Sequence, residues 1–220
     1  MLAVDTTSDR GSVALVEADR VRAELGVLAA PGHGHAEQLL PAIALLLSQN
    51  GITLRDVDGY AVAVGPGSFT GLRVGISSVQ GLALAGPRPC CGVSTLDALG
   101  RQARHHGRPV AAMIDAFRDE IFGARFAPDG TTLEGPLLLP PQAFVLRVSP
   151  GAAYLGSGAD RYADAITAHD ASALLLGPAP LLAGSVGRVA RERLLIGAGV
   201  GPESLRPLYV RDAGIWRAPS

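Results

Sequence analysis

Lysine is absent: every one of the 19 basic side chains among the 220 residues is an arginine. That excludes a phosphate loop in which a lysine reaches the outer phosphates, Schiff-base chemistry and a lysine general base. Cysteine is nearly absent. Cys90 and Cys91 are adjacent, a spacing that suits neither a structural zinc site nor a disulfide framework and reads as small apolar packing in a strand. Charge is scarce as well, 18% of residues with a net charge of −1, so the chain lacks the basic surface that holds nucleic acid unaided. An RNA would be held mainly by a partner. No apolar run approaches the roughly 20 residues a membrane span needs, and Met1-Leu2-Ala3-Val4-Asp5 reads as a strand rather than a basic leader, so a soluble, cytoplasmic protein with no membrane contact is expected.

What is present begins with glycine. Gly65-Pro66-Gly67-Ser68-Phe69-Thr70-Gly71-Leu72-Arg73-Val74-Gly75 joins a strand-like stretch, Tyr60 to Val64, to a helix-like segment from about Thr70 to Leu84. Glycines permit backbone angles that a side chain forbids, Pro66 stiffens the turn, and Ser68 or Thr70 can cap the first amides of the helix. Such a junction serves an anion or plain close packing, and the pattern alone leaves both open.

Hydrophobic content of 48% argues for a globular chain long enough for one large domain or two small ones. Leu2 to Thr6, Ser12 to Glu17 and Val21 to Val27 read as a three-stranded antiparallel meander. A helix from about Gly34 to Asn50, the strand at Tyr60, the helix after the glycine turn and a strand at Cys90 to Val93 follow. The second half partly repeats this order: strands at Val110 to Asp115, Glu120 to Phe126 and Pro136 to Leu139, a short helix at Gln142 to Arg147, a strand at Ala153 to Gly156 and a helix near Leu181 to Ile196. Two related subdomains of mixed sheet flanked by helices give an α/β chain of the ribonuclease-H-like, actin-like ATPase (ASKHA) kind. Residues 1–100 are assigned to an N-terminal subdomain, 101–199 to a smaller C-terminal one, and 200–220 to a segment that returns to the first.

Two helices carry more apolar surface than one sheet face covers. In the first, Leu39, Leu40, Ile43, Leu45, Leu46 and Leu47 occupy nearly the whole circumference, and Leu39, Ile43 and Leu46, at spacings of four and three, are expected to need cover from another element. In the second, Gly71, Gly75 and Ser78 form a stripe of small residues beside Phe69, Leu72, Ile76 and Val79, as if another helix approached closely. Either the two helices pack on each other and their sheet, or they form an interface near the standard ~1,600 Å².

Several segments resemble, in order, the TsaB (YeaZ) family: Leu2-Ala3-Val4-Asp5-Thr6-Thr7, His35-Ala36-Glu37-Gln38-Leu39-Leu40-Pro41, the glycine signature, and Gly92-Val93-Ser94-Thr95-Leu96-Asp97-Ala98-Leu99. So do Asp115-Ala116-Phe117-Arg118-Asp119-Glu120, with Phe117 where the family usually has Arg, and Pro207-Leu208-Tyr209-Val210-Arg211 with Trp216. The resemblance implies a noncatalytic subunit that binds and positions TsaD, which forms N6-threonylcarbamoyladenosine beside the anticodon of tRNAs reading ANN codons. It further implies TsaE as a third subunit, tRNA held through the complex, and a homodimer when TsaD is absent. Thr95 and Leu99 stand where TsaD carries two metal-binding histidines, so no metal, cofactor or catalytic residue is expected. Asp5 reads as a remnant of a phosphate site that helps its hairpin turn. The partner-contact candidates are His35, Leu39, Ile43 and Leu46 with Phe69, Thr70, Leu72, Arg73, Ile76 and Gln80. His33, His105, His106 and His169 read as solvated or capping, and Arg101, Arg104, Arg108, Arg188, Arg191 and Arg193 as wet helix faces or tRNA phosphate contacts. An actin-like ATPase, a metallopeptidase-like enzyme and a self-contained homodimeric module are the competing readings.

Overall fold

Unbroken apolar runs, Leu2-Ala3-Val4 on one strand and Val13-Ala14-Leu15-Val16 on its neighbour, dictate a sheet buried on both faces. A computed structural model describes residues 1–28, 35–86, 88–177 and 181–210. In chain order the elements are β1 (Leu2–Asp5), β2 (Arg10–Glu17), β3 (Arg20–Leu28), α1 (Ala36–Gln49), β4 (Tyr60–Gly65), α2 (Phe69–Ala85), β5 (Cys90–Ser94) and α3 (Thr95–Ala103). Then come β6 (Val110–Phe117), β7 (Glu120–Phe126), β8 (Thr132–Leu139), α4 (Pro141–Val145), β9 (Ala153–Leu155), α5 (Ser157–Arg161), α6 (Ala163–His169), β10 (Leu174–Leu175) and α7 (Ala183–Leu195). The expected starts at Gly34 and the tail around Arg211 and Trp216, like His33, lie outside the described residues.

The chain divides into two units, Met1–Thr95 with Leu181–Pro207, and the described residues between Leu96 and Pro180 with 208–210. In the first, the strand order is β3-β2-β1-β4-β5, with β1 antiparallel to β2 and parallel to β4. Leu2, Val4, Val13, Leu15, Tyr60 and Val62 face α1 and α2 and share one core with Leu39, Ile43, Leu46, Ile76 and Val79. The other face takes α7, where Gly187 lets the helix lie against Ala3 and Val16. Ser12 Oγ accepts the Leu182 and Ala183 amides, and Glu24 Oε1 accepts that of Gly184, so the sheet itself satisfies the helix start. The return of α7 to the first unit corrects the assignment of 101–199 to one subdomain. A helix pattern shows that a face must be buried, not which sheet buries it.

The second unit has strand order β10-β9-β6-β7-β8. Read outward from its first strand, this is the order of the first unit. Its core gathers Met113, Ile121, Phe144, Tyr154 and Ile166, and Gly123 leaves room for the Phe144 ring. The third strand, expected from Pro136, begins at Thr132, and Thr95 to Leu99, read as a motif without structure, opens α3.

Candidate interaction face and the glycine turn

β1 delivers Asp5, Thr6 and Thr7 to the start of α2. Asp5 is buried, and its Oδ1 accepts the Thr7 amide at 3.0 Å and the Thr7 hydroxyl at 2.7 Å. Burial raises the Asp5 pKa against the opposing pull of the Thr7 hydrogen bonds. Thr7 then gives its carbonyl to the Ser68 amide at 2.7 Å, while Thr6 Oγ1 donates to the Gly71 carbonyl at 2.7 Å. Ser68 caps α2, its hydroxyl accepting the Gly71 amide at 3.2 Å. A Cβ on Gly67 would stand 2.5 Å from the Thr7 carbonyl oxygen, and one on Gly71 would overlap that of Thr6. The glycines therefore bring α2 against the first strand of its own sheet. Of the two uses open to this turn, close packing is the one its geometry serves, and the small stripe on α2 receives Thr6 rather than another helix.

His35 and the buried candidates separate from the surface ones. His35 is buried at the N-cap position of α1, where its Nε2–H donates to the Ser8 carbonyl at 2.7 Å and its side chain makes no cap bond to the helix. Leu39, Ile43, Leu46, Leu72 and Ile76 are all buried. This corrects the expectation that Leu39, Ile43 and Leu46 need cover from another element: they share one core with Leu2, Val4, Val13, Leu15 and Val62 of β1, β2 and β4. Gln80 is half-buried and donates to the Pro202 and Leu205 carbonyls. Phe69, Thr70 and Arg73 are exposed, the Arg73 guanidinium lying 3.9 Å from the centre of the Phe69 ring.

The outward stripes are thus Leu40, Pro41, Ala44 and Leu45 on α1, and Phe69, Thr70, Arg73, Ser77 and Leu84 on α2. Leu40 is 51% exposed, Leu45 46%, Phe69 54% and Leu84 75%. Four large apolar side chains on two helices over the same sheet face are therefore exposed. Leu40 and Leu45 were not among the candidates. Their signal was present, because Glu37, Gln38, Ser48 and Gln49 mark the wet side of α1.

Thr95 and Leu99, both buried on α3, offer a hydroxyl and an isobutyl group, which do not fit a metal. Among the described residues no three His, Cys, Asp or Glu side chains converge. Cys90 and Cys91 are buried, and desolvation pushes the Cys90 thiol up to about 11, leaving it protonated and unreactive at neutral pH.

Residues 29–153, more than half of the chain, match the family model described as TsaD, tRNA N6-adenosine threonylcarbamoyltransferase. The chain is 30% identical to the tRNA threonylcarbamoyladenosine biosynthesis protein TsaB of Escherichia coli strain K12, over 99% of this chain and 96% of that one. The chain belongs to the TsaB family. A Pseudomonas aeruginosa crystal structure, an uncharacterized protein with similarity to peptidase YEAZ, superposes with a TM-score of 0.81 at 33% identity, covering 96% of this chain and 98% of that one. The activator of the 2-hydroxyisocaproyl-CoA dehydratase from Clostridium difficile shares the fold at a TM-score of 0.53 and 8% identity, over 94% of this chain and 98% of that one. TsaB membership and the repeated strand order agree in placing the chain on an actin-like ATPase scaffold. Among the described residues no helix is long and apolar enough to cross a membrane.

Proposed function

We propose that this TsaB-family chain is a noncatalytic subunit in the biosynthesis of N6-threonylcarbamoyladenosine on tRNA, binding and positioning TsaD. The modified base is the adenosine 3′ to the anticodon of tRNAs reading ANN codons. The observation that carries the proposal is the apolar stripe of Leu40, Leu45, Phe69 and Leu84 on α1 and α2. Buried Leu39, Ile43, Leu46 and Ile76 hold those helices on the sheet from beneath. Supporting the noncatalytic role, Thr6 and Thr7 fill the glycine turn and no imidazole stands at Thr95 or Leu99. TsaE joins the pair, tRNA is held through the complex in the cytoplasm, and the same stripe self-associates when TsaD is absent, because an uncovered apolar face seeks cover.

The test is co-purification with TsaD and a tRNA modification assay in which each subunit is omitted in turn. A Leu45→Asp, Phe69→Asp double variant places two charges in the proposed contact and should weaken the complex by at least about thirtyfold, as loss of hot-spot contacts does. Both positions are exposed, so its melting temperature should stay near that of the parent. Undiminished co-purification and modification would remove the face from the interface.

A further inference from the structure

The glycine turn stands where β1 ends. Near the start of β1, between the end of β2, the loop leading into β4 and the last turns of α7, the first unit holds a cavity of about 440 Å³, a size that small-molecule sites share. Leu15, Ile52, Pro89 and Leu194 give it an apolar wall. Five charged side chains also line it, Glu17, Arg22, Asp56, Asp58 and Arg191, and they fall into two groups. Glu17 Oε2 lies 3.7 Å from Arg22 Nη1, while Arg22 Nη2 donates to the Asn50 carbonyl at 3.1 Å. Asp56 Oδ2 accepts the Thr53 amide and hydroxyl, each at 2.8 Å. Those three are engaged.

Asp58 and Arg191 make no hydrogen bond or ion pair among the described residues, not even with each other. Arg191 is half-buried, and a charge partly withdrawn from water without a partner carries a cost that a bound carboxylate relieves. The Met1 amino group, in the same lining, donates to the Val16 carbonyl at 3.1 Å, and burial lowers its pKa. One open carboxylate and one open guanidinium beside an apolar wall complement a small zwitterion. A ligand with a single charge leaves one of the two unmatched, and an uncharged one leaves both. We infer that this cavity binds a free aliphatic α-amino acid, its ammonium donating to Asp58, its carboxylate accepting from Arg191 and its side chain lying against Leu15, Ile52 and Leu194. The site shares no residue with the stripe on α1 and α2, so it stands or falls independently of the subunit reading.

The test is a set of titrations of the isotope-labelled full chain, followed by amide chemical shifts, with L-leucine, 3-methylbutylamine, 4-methylpentanoate and glycine. These analogues are leucine without its carboxylate, without its amine and without its side chain. Leucine should shift amides around Leu15, Ile52 and Leu194, and each analogue should bind at least about tenfold more weakly. Asp58→Asn and Arg191→Gln should each weaken leucine by a similar factor, about tenfold or more. Both should melt near the parent temperature, because neither side chain bonds to the protein. Asp58→Asn should also erase the preference for leucine over 4-methylpentanoate. Absence of shifts with leucine up to about 20 mM, beyond the usual weak-binding range, overturns the inference, as do shifts confined to other parts of the chain. Equal affinity for the amine or the acid in the parent protein overturns it without recourse to any variant.

Discussion

Gly71→Ala and Gly81→Ala insert the same methyl group on the same helix and should have opposite effects. At Gly71 the new Cβ falls about an ångström inside the 3.0 Å that real Cβ atoms keep, against the Thr6 carbonyl oxygen. Backbone cannot swing aside as a side chain can, so α2 must back away from β1. Moving it strains the bond from Thr6 Oγ1 to the Gly71 carbonyl and that from the Ser68 amide to Thr7, each about 1 kcal/mol. Overpacking adds about 1–3 kcal/mol. The total, about 3–5 kcal/mol, is a large share of the ~5–15 kcal/mol that holds a native protein together, and at this chain length it lowers the melting temperature by about 6–20 °C. At Gly81 nothing stands within 4 Å. Alanine there should gain about 1 kcal/mol of helix propensity and raise melting by about 2–4 °C. Thermal unfolding followed by circular dichroism reads both. Were Gly71→Ala to melt within about 2 °C of the parent, the close approach of α2 to Thr6 would be wrong.

Two further substitutions probe the same unit. Burial raises the Asp5 pKa above its ordinary 3.8, so the native state binds a proton more tightly than the unfolded chain, and stability falls as pH rises through the interval between the two values. Asp5→Asn, which keeps an oxygen for Thr7, should therefore be more stable than the parent at pH 7 and equal to it below about pH 3; urea titrations across pH that show the reverse trend would refute this. Ser12→Ala removes the acceptor shared by the Leu182 and Ala183 amides and should cost about 2–4 kcal/mol, read as a lower urea midpoint. Fast hydrogen exchange at the start of α7 should accompany it.

Apolar runs and turn signals made much of the first unit legible, because Leu2-Ala3-Val4 and Val13-Ala14-Leu15-Val16 are bounded by polar turns and Asn50-Gly51 ends α1 where a left-handed glycine is needed, at φ of 66°. The glycine turn was legible as a junction but not in purpose. Its use depends on Thr6 and Thr7, some sixty residues earlier in the chain, which no local pattern connects to Gly67 and Gly71. The stripe of α1 that faces the sheet was misassigned for a related reason: when Leu39, Leu40, Ile43, Leu45 and Leu46 are all apolar, composition does not set the phase of the helix, and only its polar ends do. On α2 the outward stripe was written more clearly, in Thr70, Arg73 and Ser77 at spacings of three and four. The position of α7 was not legible at all, since Ser12 and Glu24 satisfy its first amides from more than 150 residues away.

That distant attachment has a temporal side. While the ribosome makes residues 96–180, at about 5–20 per second, the sheet beginning at β1 waits on the order of ten seconds for the helix that closes its far face. During that interval Ala3 and Val16, which Gly187 later covers, have only water or a chaperone against them. Nascent chains released before Leu195 should be the ones that cells degrade.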